Sequence, residues 1–177
     1  MTSPFSSAGA IKQIGNYLYL KPPIVQINPE LLDIHIHITP LAMFKPHNLK
    51  LIQSGRKDYD RIVGFAEKPA SFLKFLDEIG VERAGLINYV SPDIIGFTAE
   101  VNDWVAKYCS ADTKRLIAFG SVHPRIIDDA GKEVDRLVKL GIRGLKLHPS
   151  HQIVAPNAYL NGMKQLAAMY ERAQAHQ

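Results

Sequence analysis

The chain has 177 residues, 46% of them hydrophobic and 21% charged, with a formal net charge of +4. That length suits one domain with a sizeable core, and the composition excludes a disordered chain. Lysines and arginines are scattered among acids with no basic stripe, and no apolar run approaches a membrane span, so neither nucleic acid nor membrane is an expected partner.

Residues 1–30 form a lead-in segment. Residues 1–10 read as a loose tail, and 11–29 alternate weakly around Tyr17, Tyr19 and Ile24, as a short hairpin or lead-in strand. The run Asp33-Ile34-His35-Ile36-His37-Ile38 follows and is stopped by Thr39-Pro40. As a strand it places Asp33, His35 and His37 on one face and the three isoleucines on the other. The apolar face should pack under helices and the polar face should look into a site. Two histidines in register on one strand can bind one metal ion together, although the same spacing also arises on a solvated edge.

Residues 40–68 are a long, mixed and basic excursion with room for short helices, and serve either as a site cap or as an assembly surface. From Pro69 the pattern becomes regular. Phe72, Leu73, Phe75, Leu76 and Ile79 recur at helical spacing up to Gly80. A strand is expected over 83–90, then a helix opening at Ser91-Pro92-Asp93 with Phe97, Val101, Trp104, Val105 and Tyr108 as its stripe. The single cysteine, Cys109, lies near the end of that helix, allows no internal disulfide and reads as a buried structural thiol. A strand over 115–122, a helix over 128–140, a strand over 144–148 and a helix over 157–175 complete the chain.

Strand and helix thus alternate four times, the mark of parallel strands joined by crossover helices in an α/β fold. No glycine-rich phosphate loop follows the first strand, which argues against the nucleotide-binding open sheets. Each strand ends in polar residues: His35 and His37, then Asn88 and Ser91, then Ser121 and His123, then Lys146 and His148. Barrels assemble their sites at the C-terminal strand tips. Lys146 and His148 repeat the polar-front, apolar-back logic, with Leu145 and Leu147 behind them. A lysine inside a buried strand is costly unless paired or bound; alternatively Lys146 reaches solvent at the strand end. His123 and His148 each precede a proline and also suit a turn.

The Asp33–His37 strand, the Gly141-Ile142-Arg143-Gly144-Leu145-Lys146-Leu147-His148-Pro149 segment and the Met169–Ala173 helix end together resemble the amidohydrolase superfamily, in particular the branch of metal-dependent hydrolases similar to aminocarboxymuconate-semialdehyde decarboxylase. The resemblance implies a TIM-type (β/α)8 barrel with a divalent metal, most often Zn²⁺ with Mn²⁺ as the alternative, at its C-terminal mouth. It assigns His35 and His37 as metal ligands, and Asp33, on the same strand face, is placed to orient one imidazole. Lys146 and His148 become substrate-binding groups for a small, carboxylate-bearing substrate. A fourth-strand lysine bridges two metals in several members, which is a second role for Lys146.

Eight units need about 250 residues, and only the first four are counted over 1–177. The fifth-strand histidine and eighth-strand aspartate that complete the family's ligand set have no counterpart. The expectation is therefore the N-terminal portion of one barrel domain, inactive alone; the lone cysteine, the N-terminus without a signal-peptide pattern and the lack of a membrane-length run give a cytoplasmic expectation. In the intact enzyme the chemistry is hydrolysis at a C–N, C–O or C–C centre, or decarboxylation. The rival reading is a non-catalytic half-barrel whose open edges pair with a partner or with a second copy as a homo-oligomer.

Overall fold

The structure is a computed structural model, and it describes residues 11–14, 17–20 and 31–176. An antiparallel ribbon pairs β1 (Ile11–Ile14) with β2 (Tyr17–Leu20), as the weak alternation suggests. The expected tail over 1–10 and the remainder of the lead-in segment lie outside the described residues.

Four parallel strands form the main sheet in the order β3 (Leu32–Ile36), β4 (Arg83–Ile87), β5 (Leu116–Gly120) and β6 (Gly144–Leu145). Sequential order with parallel pairing is what repeated crossover units produce. The sheet curls as a four-strand half-barrel of the α/β class, an arrangement compatible with part of a TIM-type barrel.

One face of the sheet carries the core. Ala84, Leu86, Leu116 and Ala118 are buried there with Phe72 and Leu76 of α3 (Pro69–Ile79) and Val105 of α4 (Glu100–Cys109). Val134 and Leu137 of α5 (Ala130–Lys139), and Leu166 and Met169 of α7 (Lys164–Ala175), complete the cluster. Each of these side chains larger than alanine contributes about 1.5–3 kcal/mol of burial. On the opposite face Ile117 and Phe119 are only half-buried, and Phe119 lies against Gly85 and Gly144 of the neighbouring strands.

Helix limits follow local chemistry. Pro69 opens α3, and Gly80 ends it at φ 72°, the left-handed region that glycine enters without a Cβ penalty. Asp129 caps α5 by accepting the Lys132 backbone N–H at 3.0 Å.

Three expectations are corrected. The helix placed at Ser91 begins at Glu100. Residues 91–97 instead fold back on themselves, with Ser91 N–H donating to the Phe97 carbonyl. Phe97 belongs to a separate small core with Val90 and Val101, facing Phe44. The last helix does not run from 157. A short α6 (Pro149–Gln152) comes first, then a 3-10 turn over Ala158–Asn161, and Gly162 interrupts the chain before α7. Finally, the isoleucine face of β3 is not uniformly covered. Ile38 is 7% exposed but Ile34 is 57% exposed, because β3 is an edge strand and only its C-terminal end reaches the core.

The 40–68 excursion carries α1 (Pro46–Gly55) and α2 (Tyr59–Glu67). It is clipped to the 91–97 loop at three points. Lys45 N–H donates to the Ile95 carbonyl at 2.9 Å, Asn48 Nδ2 to the Ile94 carbonyl at 2.6 Å, and Lys45 Nζ to the Asp93 carbonyl. Gly96, at φ 101°, permits this approach, since a Cβ there would stand 2.6 Å from the Met43 carbonyl oxygen.

Candidate functional site

The polar strand tips meet at one end of the sheet. Near the start of β3, Asp33 Oδ1 accepts the backbone N–H of His35 at 2.9 Å. This side chain-to-backbone contact competes with the ladder, and the β3–β4 register shifts between Asp33 and Ile36. One oxygen of the Asp33 carboxylate is thus engaged by a peptide. His35, within the shifted stretch, and His37, just beyond it, turn their Nε2 atoms to 3.2 Å from each other, with ring centroids 5.1 Å apart and planes at 60°.

That separation bears on metal binding. Two nitrogens each 2.0–2.1 Å from one tetrahedral zinc stand about 3.3–3.4 Å apart, so the pair already has the required bite. Ligation also needs neutral rings. The pKa of His37 is lowered, first by desolvation, then by the His35 ring, and further by Lys146 and His148; a hydrogen bond to the Ile87 backbone opposes these. A ligating histidine usually carries such a backbone partner, which fixes its ring. Among the described residues no group of three or more His, Cys, Asp or Glu side chains is gathered to hold a metal ion. The residues therefore fit a divalent ion as a two-histidine portion of a ligand set.

The tip of β4 supports this pair. Asn88, 1% exposed, donates from Nδ2 to the Ile38 carbonyl at 2.9 Å, one residue past His37. Its Oδ1 is buried without a protein partner. His37, Asn88 and Tyr89 line a cleft of about 440 Å³ whose other walls are mostly apolar, including Phe44, Phe65 and Phe97. Arg56, between α1 and α2, also reaches this cleft. The 40–68 segment therefore roofs the cavity beside His37.

The fourth tip brings Lys146 and His148 to the same mouth, close enough for both to depress the His37 pKa. Lys146 lies just past the end of β6, half-buried, and its backbone N–H still donates to the Gly120 carbonyl at 2.7 Å. Leu145 and Leu147 pack on the core behind it, as the alternation implies. His148 caps α6: its Nδ1 accepts the His151 backbone N–H at 3.3 Å and meets the Ser150 hydroxyl at 3.2 Å. The His148 ring packs against Tyr89, at 4.4 Å, and His151, stacked at 4.1 Å, and those two rings lie 5.5 Å from each other. Burial, the His151 ring and Lys146 lower its pKa.

His123, at the third tip, does not join this group. It is 7% exposed, its Nδ1 has no partner, and burial pushes its pKa down. Its carbonyl accepts the N–H groups of Ile126 and Ile127 at 3.2 Å, so the turn reading holds for its backbone.

Residues not singled out in the sequence complete the mouth. Tyr89 OH lies 2.9 Å from His151 Nδ1. Gln152 is fully buried and ties three tips together. Its Nε2 donates to the Val90 carbonyl at 3.0 Å and to Ser121 Oγ and the Val122 carbonyl at 3.2 Å, while its Oε1 accepts the His148 N–H at 2.8 Å. On α4, Asn102 does the same for Ser121. Its Oδ1 accepts the Ser121 N–H at 2.8 Å and its Nδ2 donates to the Ser121 carbonyl at 2.9 Å. The available signals were an amide beside Val101 on an apolar stripe and the His148-x-x-His151 spacing after a strand.

A parallel half-barrel with its polar tips converging on two imidazoles defines a barrel-enzyme architecture. The model of the Amidohydrolase family matches residues 32–177, and the chain belongs to that family. No curated protein and no solved structure matches the chain. The family supports a hydrolase-type enzymatic function in general. Among the described residues no helix is long and apolar enough to cross a membrane.

Proposed function

We propose that the chain carries the first-strand half of the metal centre of a metal-dependent hydrolase, with His35 and His37 as ligands to a divalent ion, Zn²⁺ before Mn²⁺. The observation that carries this reading is the 3.2 Å approach of the two Nε2 atoms, which face each other as two ligands of one ion do. Bound there, the ion supplies Lewis acidity that polarises a carbonyl-type oxygen and acidifies water.

The chain's own residues supply the rest. The cleft roofed by α1 and α2 takes the apolar body of a small substrate and excludes water from it. Lys146 and His148 bind a carboxylate or other oxyanion at the mouth, and Tyr89 and His151 hold the His148 ring in place. Hydrolysis and decarboxylation make the same demand on these groups, namely an oriented oxyanion beside the two imidazoles.

Elemental analysis of the purified chain tests the reading, beside a variant carrying His35→Ala and His37→Ala. Zinc or manganese that co-purifies or reconstitutes with the parent and is lost in the variant is the expected result. Equal metal in both would remove the pair from the site.

A further inference from the structure

Which nitrogen of His148 carries its proton is decided by the turn that follows it. Nδ1 accepts the backbone N–H of His151 at 3.3 Å. A backbone N–H can only donate, so Nδ1 must present its lone pair. The Ser150 hydroxyl, 3.2 Å from the same atom, can serve as a second donor. A flipped ring would lose both of these donors, and the ring packs against both Tyr89 and His151. Its own backbone N–H is pinned by Gln152 Oε1 at 2.8 Å. A neutral imidazole with Nδ1 as acceptor has its proton on Nε2.

We infer that His148 is a fixed Nε2–H donor that binds an oxyanion of the substrate, and is not a metal ligand. A ligand needs a lone pair; in His148 the available one is already committed to the α6 turn. The imidazole edge away from that turn is a neutral donor standing beside the Lys146 ammonium, a pairing that suits a carboxylate oxygen. This rests on the proposed function for the identity of the site, but the tautomer itself does not depend on a metal.

The experiment separates the two. Long-range ¹H–¹⁵N correlation spectra of the labelled full chain, with His148 assigned by substitution, report the tautomer directly, and malonate serves as the oxyanion probe. The expected result is a protonated Nε2 and a bare Nδ1, with malonate shifting the Nε2 signal. His148→Asn keeps a good helix-capping acceptor but loses the distal donor, whereas His148→Gln keeps an amide N–H near the Nε2 position. Malonate should bind about tenfold more weakly to H148N, the loss expected for one hydrogen bond to a charged group, and close to normally to H148Q. A proton on Nδ1, an unmoved Nε2 signal on adding malonate, or unchanged binding by H148N would each overturn the assignment. So would zinc that is retained by the parent and lost from H148N. Absence of zinc from the parent itself counts against the metal proposal alone and leaves the tautomer result standing.

Discussion

The Asn88 side-chain amide donates to the Ile38 carbonyl at 2.9 Å, continuing the β3–β4 pairing past the last residues of both strands. Ile38 is the residue after His37, so a side chain from β4 sets where the end of the histidine strand lies.

Asn88→Ala should therefore lower stability by about 1–2 kcal/mol, because a buried carbonyl loses its donor. Asn88→Asp should cost more, since it points a carboxylate oxygen at that carbonyl. Urea unfolding of both variants checks this, and an aspartate variant as stable as the alanine variant would show that the amide does not make the bond.

Ile153 ends α6 at φ 50°, a region in which a β-branched residue is strained, and it is 69% exposed. Little packing is lost by replacing it. Ile153→Gly should raise stability by about 0.5–1 kcal/mol despite the entropy that glycine adds to the unfolded chain, and Ile153→Asn by a similar amount. A loss of stability in both would mean that the side chain is held by contacts stronger than the strain.

Phe119 is wedged between two glycines. A Cβ on Gly144 would stand 2.4 Å from the ring, and one on Gly85 would stand 2.9 Å from both the ring and the Ile34 Cα. Gly144→Ala should cost about 1–3 kcal/mol through overpacking. Combining it with Phe119→Leu should recover part of that loss, whereas Gly85→Ala should resist rescue because it also meets backbone. A double-mutant cycle by thermal unfolding reads the coupling.

His123 has its pKa lowered from 6.5 by burial. Above pH 6.5 the ring is neutral in both the folded and unfolded chain and the stability it permits is fully present. As pH falls below 6.5 the unfolded state takes up the proton first, so stability declines until the folded pKa is passed. His37 and His148 are shifted the same way. Denaturation between pH 7 and 5 should show this decline, and His123→Gln should flatten it in part. An identical slope in the variant would exclude His123 as a contributor.

The regular part of this architecture was legible because periodicity and punctuation agreed. Pro69 and Gly80 bracket a helix whose apolar residues are a full stripe, and the observed helix ends within one residue of both. The 91–97 loop was not, because Phe97 sits at helical spacing from Val101 and extends the same apolar stripe. The discordant sign was Gly96, a residue poorly suited to a helix interior. At the site, the histidine pair was visible as a pattern, whereas the buried amides Asn88, Asn102 and Gln152 were not. Their partners are peptides 19 to 62 residues away in the chain, a relationship that no local spacing records.

The clip between Lys45, Asn48 and the 93–95 carbonyls divides the labour of the cleft between two kinds of sequence. The strand tips that hold the imidazoles are fixed by peptide geometry and tolerate few replacements. The roof is joined to the loop by these three bonds and the close approach at Gly96, and to the core by the Tyr108 hydroxyl donating to the Phe65 carbonyl at 2.6 Å and by the Phe65 ring against Phe72 and Phe75. The size of the cleft and the placing of the imidazoles thus rest on different residues: Ile52, Arg56 and Ile62 shape its roof, while Asn88 and Gln152 fix the strand tips.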